Sequence, residues 1–334
     1  MNWILIIPLI ASLFSVILFL PTWIKKMKKI KFVGEDMNKV KRPKVAKSGG
    51  FIAIMGFLVG LFIYIAIQTF YSNSQLGVIE ILALIAVVLT LTVVGLIDDL
   101  LGKKSGGLTR RVRILLLIFA AIPLIVINAG ESTIQLPFLG LVNLGIIYPI
   151  FLIPLGIVGA SATYNFLAGY NGLEAGQGII ILTSFSLISL FLKQPALSII
   201  CLCMVFALIG FFLFNRFPAR TFPGNSLTLV IGALIAAISI LGNFERIAVF
   251  IFIPYILETF LKLRGKLVIE SFAKPTKNGL EMPKKKIYGL EHLAIKIIGK
   301  FKKVNEKDVV YAVFAFQIII IILAFIIFRK FIFI

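Results

Sequence analysis

Apolar runs long enough to cross about 30 Å of hydrocarbon recur ten times, at roughly 2–24, 49–70, 78–97, 114–130, 143–164, 177–192, 196–214, 226–243, 247–261 and 309–328. Nothing else in the chain constrains the fold as strongly. A backbone in hydrocarbon must satisfy its own N–H and C=O groups, and a helix does so within one segment. Composition agrees: 60% of the residues are hydrophobic and 14% charged, with a mean hydropathy of +1.07, far from the balance of water-soluble domains. The expected fold is an all-α polytopic membrane protein of about ten transmembrane helices, forming a single membrane domain over residues 1–334. The first run lacks a positive n-region and a small-residue cleavage pattern, so it reads as a span rather than a signal peptide.

The net charge of +20 would suit a nucleic-acid partner if it were spread over one soluble face. It is not. Segments 25–48, 98–113, 165–176, 215–225 and 262–308 hold ten, five, no, two and thirteen Lys plus Arg, thirty of the chain's 34. The positive-inside rule puts these five loops in the cytoplasm and, with an even number of spans, both termini outside. No nucleic acid is expected as a partner. Within the last loop, residues 284–303 space apolar residues between lysines as a helix on an anionic leaflet would. Cys201 and Cys203 lie inside an apolar run and act as small hydrophobes. His292, the one histidine, reads as a structural or surface residue.

The polar chemistry is concentrated in those five loops. "VGLIDDLLGKK" (94–104) closes a span with Asp98 and Asp99. Adjacent carboxylates in a partly dry place repel each other unless a cation joins them, and a hard ion such as Mg²⁺ bridges carboxylates to substrate phosphates. The plain alternative is a boundary pair neutralised by Lys103, Lys104 or Arg110. "TYNFLAGYNGLEAGQG" (163–178) has no Lys or Arg but offers Asn165, Asn171, Glu174 and Gln177 among small residues, which lets backbone approach a ligand. "NRFPARTFPGNSLTL" (215–229) adds Arg216 and Arg220, suited to phosphate oxygens, and Phe222, able to stack on a base. Taken singly, the second loop is also a plain Asn-Gly turn between spans, and the arginines and Phe222 of the third are better explained by topology and interfacial anchoring.

In this order the motifs resemble the polyprenyl-phosphate N-acetylhexosamine-1-phosphate transferases, glycosyltransferase family 4, over nearly the whole chain. "GLIDDLLG" resembles the family's paired-aspartate motif, and "YNFLAGYNGLEAGQ" and "FNRFPARTFPGN" are similar to loops of its dolichol-type branch. "TKNGLEM" (276–282) is similar to a stretch of that branch's last large loop. The resemblance implies a cytoplasmic active site holding a UDP-sugar, Mg²⁺ (or Mn²⁺ in its place) and a polyprenyl or dolichyl phosphate. Transfer of a sugar-1-phosphate, GlcNAc-1-phosphate above all, would release UMP, as in the first membrane step of N-glycosylation. Carried over by motif, Asp98 and Asp99 are catalytic, one as base or orienter and the other toward the metal. Asp99, Asn165 and Asn225 are metal ligands. Gly49, Gly50, Phe51, Arg113, Asn171, Glu174, Arg220, Phe222, Arg264 and Lys266 are substrate contacts. Asn171 meets the uridine, Phe222 the uracil, and Arg113 the lipid phosphate.

The chain departs from the pattern in two places. Asn225 stands where most relatives have aspartate, and the last loop lacks the relatives' His-rich or Arg-His-Arg motif, leaving Arg264 and Lys266 as the basic pair. A bacterial-type undecaprenyl-phosphate enzyme is the alternative within the family, and a nucleotide-sugar or anion transporter the alternative outside it. A transporter should place polar groups near mid-membrane, whereas the span interiors here are almost free of charge, with Glu80 and Glu258 close to ends. The expected location is the plasma membrane of a prokaryote, an archaeon, with room for a homodimer.

Overall fold

A computed structural model describes residues 3–71, 77–136, 140–277, 279–284 and 286–333, with backbone alone at 103–105 and 134–136. Asn278 and Lys285, within two of the stretches quoted above, and the side chains of Lys103 and Lys104, candidate partners of the aspartates, lie outside the described residues. Each of the ten apolar runs contains helix: α1 (Ile6–Lys29), α2 (Gly50–Phe70), α3 (Val78–Ser105), α4 (Arg110–Val126), α5 (Ile153–Tyr164), α6 (Leu173–Phe191), α7 (Pro195–Asn215), α8 (Asn225–Leu241), the pair α9 (Glu245–Ile251) and α10 (Ile253–Arg264), and α12 (Glu306–Ile327). Among the described residues, six helices are long and apolar enough to cross a membrane. They are α2, α6, α7, α12, α1 with the turn before it, and α3 as far as Gly102. Tyr148–Tyr164 and α8 are shorter apolar helices.

The central element is α8. From Ser226 to Ile240 every one of its residues is buried, as expected of a helix that is apolar all round. It packs against α3 and α5 most extensively. Gly95 of α3 makes the first contact close: a Cβ there would stand 2.4 Å from the Ser226 Cα. Two expected boundaries move. The aspartates are not in a loop beginning at 98, because α3 continues through Leu100 and Leu101 until the glycine pair 106–107. The run 247–261 is broken at Phe252, since Pro254 has no N–H to carry the α9 ladder onward.

The amphipathic helix expected over 284–303 is shorter. α11 spans Leu290–Ile298, preceded by Gly289 in extended backbone and followed by Gly299. It buries Leu290, Glu291, His292, Ala294 and Ile295 and packs on α10 and α12, so one face is committed to protein rather than lipid. Three two-stranded antiparallel hairpins modify the all-α expectation: β1 (Val33–Glu35) with β2 (Lys44–Ala46), β3 (Thr133–Leu136) with β4 (Gly140–Asn143), and β5 (Lys274–Thr276) with β6 (Gly279–Glu281). A four-residue helix, α13 (Arg329–Ile332), follows α12.

The five segments singled out by charge meet at one end of the bundle. Ser48 bonds Asp99 at 2.6 Å, the Phe222 N–H donates to the Ala46 carbonyl at 2.8 Å, and Asn38 donates to the Gly169 carbonyl at 2.9 Å. The Arg110 guanidinium reaches the Leu267 carbonyl at 3.0 Å. At the other end the Tyr148 hydroxyl donates to Glu245, and Gln194 donates to the Gly242 carbonyl at 3.2 Å.

Candidate active site

Both aspartates sit against the N-terminus of α8, and both are buried. Asp99 Oδ1 accepts the Asn225 backbone N–H at 2.8 Å, one of the amides a helix start leaves without an internal partner. Its Oδ2 accepts from the Ser48 hydroxyl at 2.6 Å. Asp98 Oδ1 accepts the Leu108 N–H at 2.6 Å, while Oδ2 accepts from the Asn225 side-chain amide at 2.8 Å and pairs with Arg113 at 2.7 Å. All four carboxylate oxygens are thus engaged, and the positive end of the helix dipole faces them. Gly224, with φ of +76°, makes the turn into α8; a Cβ there would lie 2.2 Å from Asp99 Oδ2 and would displace the carboxylate.

A cleft of about 600 Å³ opens beside this pair. Its lining includes Asp36, Asn165, Asn171, Phe222, Asn225 and Lys262, with Glu174 beside them, so four of the loops contribute side chains to one space. The aspartates do not line it. They stand one hydrogen bond behind, with Asn225 between. Asn165 ends α5, and its amide oxygen accepts from Thr228, one turn into α8, at 2.9 Å. Glu174 accepts the Gly169 N–H on one oxygen at 2.9 Å, whereas its other oxygen is buried without a partner. The Phe222 ring lies over Gly34.

Other expected contacts fall elsewhere. Gly49 and Gly50 donate their N–H groups to the Phe222 and Pro223 carbonyls at 2.9 and 3.0 Å, so they fasten the start of α2 to the third loop. Phe51 packs on Trp23 with ring centroids 5.2 Å apart. None of the three lines the cleft. Arg220 is exposed and lies over the Phe214 ring, and Arg264 and Lys266 are exposed outside the cleft. The cation that the last segment does bring to the cleft is Lys262, which donates to Ser271 at 2.6 Å and stands 3.7 Å from Glu258. Sequence reasoning passed over it because a lysine at a span end looks like topology. Asp36, Asn38, Lys39 and Ser48 were missed for the same reason, lying unnoticed in a basic loop.

A family model described as "Glycosyl transferase family 4" matches residues 81–243. A Saccharolobus solfataricus protein with the provisional name UDP-N-acetylglucosamine–dolichyl-phosphate N-acetylglucosaminephosphotransferase is 36% identical over 322 residues, 96% of each chain. The chain belongs to glycosyl transferase family 4. A similarly named protein of Sulfolobus acidocaldarius is 33% identical over 93% of this chain and 92% of its own length. A phospho-N-acetylmuramoyl-pentapeptide-transferase of Streptococcus uberis is 32% identical over 75% and 78%. Within the family, this chain is an integral membrane enzyme and a phosphotransferase.

Does the family member's site suit a divalent ion? Among the described residues, no group of three His, Cys, Asp or Glu side chains gathers into a metal cluster. The donors nevertheless fit Mg²⁺. Asp99 is a buried carboxylate whose bonds come from neutral donors, a hydroxyl and an amide, so a cation would complete its charge balance. Asn165 and Asn225, which line the cleft, offer hard amide oxygens. Mg²⁺ keeps much of its water and takes phosphate oxygens, needing only one or two protein carboxylates. Asn225 is the first residue of α8, with Gly224 in the N-cap position, and its side-chain amide donates to Asp98 at 2.8 Å.

Proposed function

We propose that this protein transfers GlcNAc-1-phosphate from UDP-GlcNAc to a dolichyl-type polyprenyl phosphate, in a Mg²⁺-dependent reaction that releases UMP. The relatives identify it as a polyprenyl-phosphate sugar-1-phosphate transferase. The observation that carries the finer reading is the joining of the Asn-rich loop, Phe222 and the aspartate-backed N-terminus of α8 around one cleft. We also infer ten spans, with the basic loops in the cytoplasm of an archaeal cell and both termini outside. The distribution of Lys and Arg supports this topology.

Each residue's work follows from its contacts. Phosphoryl transfer needs positioning and charge stabilisation more than covalent help. Asn171 and Phe222 hold the nucleoside, Glu174 fixes the turn at Gly169, and Lys262 meets the diphosphate. Arg113, anchored by Asp98, presents its guanidinium to the lipid phosphate. Asp98 therefore orients, and Asp99 with Asn165 and Asn225 would hold Mg²⁺. When bound, the ion offsets the charge that develops on the phosphate oxygens.

The test is purified protein with Mg²⁺, UDP-GlcNAc or UDP-GalNAc, and dolichyl or undecaprenyl phosphate. UMP and a polyprenyl-diphosphate sugar are expected, with dolichyl phosphate and UDP-GlcNAc the better pair. Release of UDP with a lipid monophosphate sugar would overturn the reading. Preference for undecaprenyl phosphate would move the enzyme to the bacterial type.

A further inference from the structure

The segment between β1 and β2 carries three polar side chains tied to three other parts of the cleft wall. Asn38 is a two-sided brace: its amide donates to the Gly169 carbonyl at 2.9 Å, and its oxygen accepts the Ala273 N–H at 3.0 Å. Asp36 accepts from the Asn171 side-chain amide at 3.0 Å and pairs with Lys39 at 3.2 Å. Lys39 also pairs with Glu306 of α12, whose other oxygen accepts the Asn171 backbone N–H at 2.7 Å. Asn171 is therefore gripped by two buried carboxylates, each 135 residues away, one on either side in the chain.

A side-chain amide has two nearly isosteric ends, one donating and one accepting, whereas an ionised carboxylate only accepts. Asp36 therefore fixes the Asn171 nitrogen toward itself, and the end left for a ligand in the cleft is the oxygen. An acceptor there distinguishes bases by their pairing edge. Uracil carries an N–H donor at N3, where cytosine carries an acceptor. A site built to bond a donor rejects the analogue lacking it, because its own polar atom is then left unpaired.

We propose that Asp36 is a positioning residue that makes the cleft select uracil over cytosine, by locking the Asn171 amide in one orientation, with Lys39 and Glu306 bracing the lock. The proposal rests on the reading of Asn171 as the contact to the base. Direct competition between UDP-GlcNAc and CDP-GlcNAc on the full-length enzyme tests it. Wild type should favour the uridine donor strongly. Asp36→Leu should lower the ratio of the two kcat/KM values at least tenfold, with KM for the lipid phosphate changed less than twofold. Asp36→Asn keeps the shape and supplies an amide that can itself turn, so it should lower the ratio at least threefold even if the leucine variant fails to fold. Glu306→Gln still accepts the backbone N–H but loses the ion pair with Lys39, so it should lower the ratio less than Asp36→Asn does. If both Asp36 variants retain the wild-type preference while Asn171→Ala loses it, the lock is wrong and the base contact stands. If Asn171→Ala leaves the ratio and the donor KM unaltered, the base contact fails, and the lock with it.

Discussion

Two buried acidic pairs border the cleft region, and they are built on opposite principles. Asp98 and Asp99 have every oxygen bonded, Arg113 beside one of them and a helix N-terminus before both. At the end formed by α10 and α11, the lysine beside Glu258 and Glu291 is Lys262, which stands 3.7 Å from Glu258. Glu258 accepts the Leu290 N–H at 2.7 Å, but neither oxygen of Glu291 has a partner and both are buried. Burial, then repulsion from Glu258, pushes the Glu291 carboxyl well above its ordinary pKa. Every oxygen of the first pair has a donor, whereas the second leaves one carboxyl bare, and burial favours the protonated form of that carboxyl. Adjacency in sequence therefore says little about chemistry; the donors that surround a carboxylate decide it.

The sharpest way to break this contrast is to neutralise each side. Asp99→Asn should lower turnover at least 10²-fold, about 2.7 kcal/mol of barrier, and Asp98→Asn should do the same by loosening Arg113. UMP release at saturating substrates measures both, and near-normal rates in the two variants would remove the charged pair from the mechanism.

A smaller effect is expected at Asn225, where a neutral amide donates to Asp98. Asn225→Asp sets a third carboxylate against the pair, so in EDTA its melting temperature should fall below that of wild type, and Mg²⁺ should restore it. Asn225→Ala should instead raise the Mg²⁺ concentration for half-maximal activity about tenfold, or about 1.4 kcal/mol. A melting temperature of the aspartate variant that ignores Mg²⁺ would separate Asn225 from the metal.

The smallest effect should come from Glu291. Its folded-state pKa is raised, so folding favours the protonated form. Stability is fully present below the unfolded value of about 4.3 and is lost as pH rises toward the folded value. Glu291→Gln removes that loss. Its melting temperature should match wild type near pH 4 and exceed it by a growing margin toward pH 8, while turnover stays within about threefold. A constant difference across this range would show that Glu291 is already ionised in the folded protein.

Much of the fold was legible because hydrocarbon leaves a chain so few options. The ten apolar runs anticipated where helix forms, and the crowding of Lys and Arg anticipated which five segments share one end. Helix ends were harder: Pro254 splits a run that is continuous in hydropathy, and α3 carries the aspartates two turns before its end. In the site, Asn165, Asn171, Glu174, Phe222 and Asn225 could be read from motif. Lys262 and Asp36 could not, since lysines are common at membrane boundaries and Asp36, next to Glu35, lies in a loop dominated by basic residues.

By itself, the sequence determined a helical membrane protein with its chemistry on one side, because burial in lipid and charge at its edges act on segments one at a time. Only the tertiary structure decided that Asn225 donates to Asp98, that Gly49 and Gly50 fasten loops outside the cleft, and that residues 36 and 306 meet at Asn171. Those are pairings between distant segments, and hydrogen bonds are short and directional. No local pattern encodes them until α8 and its neighbours have packed and brought their ends within 3 Å of one another.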